Sequence, residues 1–93
     1  MRKYEAVVIL RPESETLAEA KEFLKTLFNG DGCKTVNEEE MGDRELAYEI
    51  KKNKRGYYLL YELEADPQSL PAFDKALKLR NDVLKYLFVR SEE

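Results

Sequence analysis

The chain has 93 residues, with 16 Lys and Arg against 19 Asp and Glu, a formal net charge of −3, 43% hydrophobic residues and a single cysteine. That length makes one domain over residues 1–93, burying roughly 60–70% of its unfolded surface, and the apolar and aromatic content excludes a disordered segment. One cysteine excludes an internal disulfide, no apolar run approaches the ~18 residues of a membrane span, and no secretory signal is evident, so the expected setting is reducing and cytoplasmic.

Arg2 to Leu10 alternates, setting Tyr4, Ala6, Val8 and Leu10 on one side of a first strand and Lys3, Glu5, Val7 and Ile9 on the other. Pro12 stops that strand. Ser14 is placed as an N-cap with Glu15 at the positive helix end, and Leu17, Ala20, Leu24, Leu27 and Phe28 recur at helical spacing until Asn29 and Gly30 break the pattern. Cys33, after Gly32 at the start of the next strand, reads as a small half-buried residue with no chemical role.

Lys34 to Met41 is a weak strand running through Thr35, Val36 and the acidic Glu38-Glu39-Glu40, and Gly42 bends it before a stronger second half. The acidic run reads as a solvated edge that discourages pairing with another sheet. Beyond the bend, Leu46, Tyr48 and Ile50 share one face. Tyr57, Leu59, Tyr61 and Leu63 share one face of the following strand, so the two form a β-hairpin. Its connection, Lys51-Lys52-Asn53-Lys54-Arg55, carries four cations and no anion.

Asp66 and Pro67 open a turn, Ser69 is assigned as the second N-cap with Pro71 in the first turn, and Leu70, Phe73, Ala76 and Leu77 form a second apolar stripe. Lys85 to Ser91 is the closing strand, with Tyr86 and Phe88 opposite Leu87 and Val89. Both of its faces are apolar, which leaves its register open. Lys and Glu dominate a charged fraction of 38%, and His and Trp are absent. This is the composition of proteins from hot environments, and a melting midpoint above the ordinary mesophile range is expected on that ground.

The order β-α-β-β-α-β is the ferredoxin-like split βαβ arrangement of the α+β class, a four-stranded antiparallel sheet with two helices on one face. Right-handed crossovers place the first and third strands in the middle and the second and fourth at the edges. The second sheet face is then expected to be bare. Val7, Ile9, Tyr58 and Leu60 would lie together on it, an apolar group of the kind that marks a docking surface.

Three parts of the chain in the right order, Met1-Arg2-Lys3-Tyr4-Glu5, Gly42-x-Arg44-x-Leu46-Ala47-Tyr48-x-Ile50 with its hairpin, and Leu77-Lys78-Leu79-Arg80-Asn81-Asp82-Val83, resemble bacterial small-ribosomal-subunit protein S six over nearly the whole chain. Glu49 stands where many members of that family have proline, and the chain ends at Ser91-Glu92-Glu93 without the longer tail that some carry. The resemblance implies a structural, non-catalytic ribosomal component. It would bind small-subunit ribosomal RNA together with a second protein of the same ribosomal platform, S eighteen, as heterodimer partner.

Val7, Ile9, Tyr58 and Leu60 are the partner interface on this reading. Arg2, Lys3, Lys54, Arg80, Lys85 and Arg90 are the candidate RNA contacts, Arg2 and Arg80 foremost because both resemble basic positions of the family. Arginine suits this role because its planar fork bonds phosphate bidentately and stacks on bases. An acidic chain with few such groups should show a shallow salt dependence, with on the order of two to four phosphates neutralised.

Other classes fit less well. A free-standing RNA-recognition module would use Arg55-Gly56-Tyr57 to open its third strand, but Tyr58 stands where Gly or Ala is wanted, and Leu59 and Glu62 where aromatics should be. A small phosphatase of this fold would need a glycine-rich phosphate cradle, and the chain has no His for acid–base work or metal ligation. A homodimeric ligand-binding regulator remains open on fold grounds alone. No cofactor, metal, membrane or small-molecule substrate is expected.

Overall fold

The computed structural model describes residues 2–30 and 32–91, and in the first helix the side chain of Ser14 is outside the description. The elements run β1 (Arg2–Leu10), α1 (Ser14–Leu27), β2 (Cys33–Ile50), β3 (Asn53–Ala65), a 3-10 turn (Pro67–Ser69), α2 (Leu70–Lys78) and β4 (Val83–Arg90). The sheet is antiparallel with strand order β2-β3-β1-β4. β1 and β3 are therefore central and β2 and β4 are edges, the ferredoxin-like order that the element pattern predicts.

Both helices pack on one sheet face. Tyr4, Ala6, Val8 and Leu10 of β1 and Leu59, Tyr61 and Leu63 of β3 meet Ala20, Leu24 and Phe28 from the first helical stripe and Phe73 and Leu77 from the second. Phe28 stands at the centre, edge-on to Tyr61 at 5.0 Å, to Phe73 at 5.5 Å and to Phe88 at 6.1 Å between ring centroids. Such edge-to-face contacts add to the burial of the rings themselves. Tyr86 and Phe88 pack against this core, whereas Leu87 and Val89 are 55% and 44% exposed, which settles the register that two apolar faces left open.

Three boundaries differ from the sequence reading. The hairpin connection is two residues rather than five: Ile50 pairs with Asn53, and Lys51 and Lys52 both take positive φ, 48° and 67°. That is the backbone of a type I′ turn, whose twist matches the strands on either side. Lys54 and Arg55 consequently belong to β3. The second helix is entered through a 3-10 turn whose cap is Asp66, accepting from the Gln68 amide at 3.0 Å, while Ser69 makes no side-chain cap. The closing strand begins at Val83, two residues before the expected start. The expected cap at Ser14 falls on a side chain outside the described ones, and Glu13 occupies the N-cap position.

β2 is a single 18-residue strand that bends where expected. Its register with β3 shifts between Glu40 and Gly42, and Gly42 sits at φ 87°, a conformation open to glycine and strained for most other residues. Just before the bend, Glu40 accepts from Lys21 Nζ and from the Tyr57 hydroxyl, each at 2.6 Å. This ties the outer strand to α1 across the sheet. Cys33 is buried rather than half-buried, and loss of solvation pushes its thiol pKa up.

Candidate functional site

The face turned away from the helices carries the alternate residues of each strand, and the pairing register arranges them in rows. One row reads Lys34, Glu64, Lys3; the next Asn37, Glu62, Glu5, Val89; the next Glu39, Leu60, Val7, Leu87; and the last brings Tyr58, Ile9 and Lys85 together. Val7 and Leu60 are half-buried. With Leu87 and Val89 they make an apolar strip that no helix covers.

This face is not bare along its whole length. The far end of the β2–β3 hairpin turns over it, so that Leu46 packs on Ile9 and Leu84, with Ile50 and Tyr58 alongside. Ile9, Leu46 and Leu84 are only 7%, 8% and 5% exposed. Lys51 Nζ reaches the Val83 carbonyl at 3.1 Å, and Lys85 Nζ lies 3.2 Å from the Tyr48 hydroxyl, fastening the hairpin end to β4. Gly56 makes the close approach possible: a Cβ there would stand 2.4 Å from Ile9 Cγ2. Of the four residues assigned to a partner interface, Val7 and Leu60 therefore lie on the uncovered strip, Tyr58 at its margin, and Ile9 beneath the hairpin.

The six candidate RNA contacts do not form one patch. Arg2 and Arg90 lie near one end of the sheet, where β1 begins and β4 ends, in register with Ala65 and Tyr4 of the helix-facing side, and Lys3 is at the same end on the open face. Lys54 is exposed near the hairpin turn, and Lys85 is engaged with Tyr48. Arg80 is at the opposite end of the sheet. Its Nε and Nη2 bond Asp82 at 2.9 and 2.7 Å, and its guanidinium lies over the Phe23 ring, 4.5 Å from the centroid. The pair holds the Asp82 carboxyl below the usual aspartate range and raises the Arg80 pKa further.

A basic residue that the sequence reading passed over stands next to this pair. Arg11 Nε donates to the Asn81 carbonyl at 2.8 Å, and Arg11, Thr16, Arg80, Asn81 and Asp82 line one shallow depression. The hint in the sequence was slight: Arg11 directly follows β1, where a polar residue before Pro12 carries no special signal. Among the described residues no group of three or more His, Cys, Asp or Glu could hold a metal ion, and no helix is long and apolar enough to cross a membrane.

The family model described as Ribosomal protein S6 matches residues 3–90 of the chain. The chain belongs to the ribosomal protein S6 family. It is 40% identical over 93 residues to the small ribosomal subunit protein bS6 of Treponema denticola, with all of both chains covered. It is 39% identical over 97 residues to that of Halalkalibacterium halodurans, again with both chains covered completely. Among solved structures, the 30S ribosomal protein S6 of Thermotoga maritima superposes with a TM-score of 0.87 at 26% identity, covering 97% of this chain and 87% of that one.

The C-terminal domain of the MgtC protein of Mycobacterium tuberculosis superposes with a TM-score of 0.64 at 18% identity over 100% of this chain and 90% of that one, which is likeness of fold alone. Membership of the S6 family makes the chain a structural, non-enzymatic protein of the small ribosomal subunit, as the resemblance of its three sequence segments implies.

Proposed function

We propose that the chain binds small-subunit ribosomal RNA as one half of a heterodimer with ribosomal protein S18, the partner docking on the open sheet face. The observation that carries this reading is the strip Val7, Leu60, Leu87 and Val89, contiguous on the sheet face that no helix covers. An apolar group of this kind on one face fits a docking surface better than a solvated one. Tyr58 and Ile9 support the strip from below the hairpin end, with Ile9 setting its floor rather than its surface.

RNA contact falls to the cations at the ends of the sheet. Arg2, Lys3 and Arg90 cluster at one sheet end and form the main set, with Lys54 and Lys85 contributing charge from the hairpin side. Arg80 presents a guanidinium already oriented by Asp82 and Phe23, which limits it to one further phosphate contact. Site and stickiness are both modest, so neither component holds RNA well without the other. The whole chain acts as one domain in a cytoplasmic ribonucleoprotein.

Sedimentation of a cell extract tests this directly. The protein is expected to travel with small subunits and to leave them, together with S18, when the salt concentration is raised. A protein found only in the slow, unassembled fraction would defeat the reading. The salt slope of RNA binding should correspond to on the order of two to four phosphates.

A further inference from the structure

The row Asn37, Glu62, Glu5, Val89 contains an arrangement that the folded chain alone does not favour. Glu5 and Glu62 are directly opposite one another on the two central strands. Like charges in that position destabilise a sheet, and opposite charges stabilise it. The neighbouring row obeys the rule, with Glu64 set between Lys34 and Lys3. The Glu5–Glu62 row breaks it. Neither carboxylate forms an ion pair with a described residue, and Lys3, diagonal to Glu62, makes none with it.

Two depressions are lined by residues of this face. One, of about 220 Å³, is lined by Lys3, Glu5, Val36, Glu62 and Glu64 among others. The second, of about 190 Å³, is lined by Val7, Ile9, Lys85, Tyr86 and Leu87. The open face thus offers an acidic hollow, an apolar notch and the apolar strip between them. Three carboxylates against the single ammonium of Lys3 at its rim leave the first with a net negative lining, and the strip offers phosphate no donor.

We infer that Glu5 and Glu62 select the occupant of the open face: a protein partner that lays apolar side chains on Val7, Leu60, Leu87 and Val89 and inserts a lysine or arginine between the two carboxylates. This deepens the reading above and rests on it. A cation placed there removes the repulsion, so the complex recovers what the free chain loses. Nucleic acid is turned away from the same surface, and its contacts are confined to the cations at the sheet ends. Charge arranged in this manner acts on choice of partner more than on raw affinity.

The test compares the full chain with Glu5→Gln, Glu62→Gln and the double variant, measuring the melting midpoint of each alone and its calorimetric titration with purified S18 of the same organism. The variants should melt higher than the parent by about 2–4 °C, while the double variant binds S18 about tenfold more weakly at low salt. The difference should shrink as salt is added.

Unchanged S18 affinity in the double variant, with the parent binding well, overturns the selection proposal and leaves the partnership standing. Failure of the parent to bind S18 overturns both. Self-association of the parent in sedimentation equilibrium with loss of S18 binding assigns the surface to another occupant and likewise overturns it.

Discussion

Replacing Gly56 by alanine probes the contact that closes the hairpin end over the open face. Gly56 is buried, and a Cβ built on it lies 2.4 Å from Ile9 Cγ2 and 3.3 Å from Leu46 Cδ2. Optimal carbon–carbon separation is about 3.5–4.0 Å, so more than an ångström must be made. Ile9 cannot yield it by rotating away, because its β-branched side chain is stiff at χ1 and is itself wedged between Leu46 and Leu84. The adjustment has to come from the backbone.

Overpacking of this kind costs about 1–3 kcal/mol. Alanine's lower chain entropy in a strand offsets about 0.5–1 kcal/mol of that. The expected net destabilisation is about 0.5–2 kcal/mol, a fall of roughly 2–16 °C in melting midpoint for a domain of this size. Urea unfolding of the parent, Gly56→Ala, Ile9→Ala and the double variant measures it. Ile9→Ala removes the clashing methyl, so the two changes together should cost clearly less than the sum of each alone. A Gly56→Ala protein as stable as the parent, or strict additivity in the cycle, would show that the hairpin end does not press on Ile9.

Two further outcomes follow from the charge and burial pattern. Asp82→Asn should cost about 1–2 kcal/mol, because it loosens a bidentate pair whose arginine is 29% exposed on its side chain. Since Arg80 holds the folded Asp82 pKa below its ordinary value, the stabilisation is complete above the ordinary aspartate pKa of about 3.9 and disappears as pH falls through the lower folded value. The gap between parent and variant should therefore close in acid, and a gap that widened there would contradict the assignment. Cys33, buried with its thiol pKa raised by lost solvation, should react with a thiol reagent far more slowly in the native chain than in denaturant. Equal rates would place the thiol at the surface.

Strand order and helix faces were legible in the sequence because each rests on a clean period. Tyr4, Ala6, Val8 and Leu10 announce their face by alternation alone, and Phe28, Phe73 and Leu77 fall on stripes that a single sheet face can receive. β4 was ambiguous for the same physical reason: apolar residues on both sides carry no alternation, and only packing against Phe28 and Phe73 distinguishes Phe88 from Leu87. The two-residue hairpin turn is hidden in the sequence because lysine at positive φ gives no glycine-like signal, although Lys51 and Lys52 both adopt it.

The site was less legible than the fold. Leu46, Tyr48 and Ile50 were recognisably one face, but bulges in β2 change which side of the sheet that face addresses, so its closure over Ile9 depends on register shifts that no local pattern encodes. Arg80 stood out as a cation, while its capture by Asp82 two residues later depends on the turn between α2 and β4. Glu5 and Glu62 are 57 positions apart and meet only through strand pairing. Their opposition was invisible until the register was known.

The most direct measurement is the affinity of the purified chain for a small-subunit ribosomal RNA junction fragment, titrated with and without S18 at a fixed salt concentration. Weak binding by the chain alone is expected, with binding at least about tenfold tighter once the open face is occupied. Equal affinities in the two titrations would contradict it.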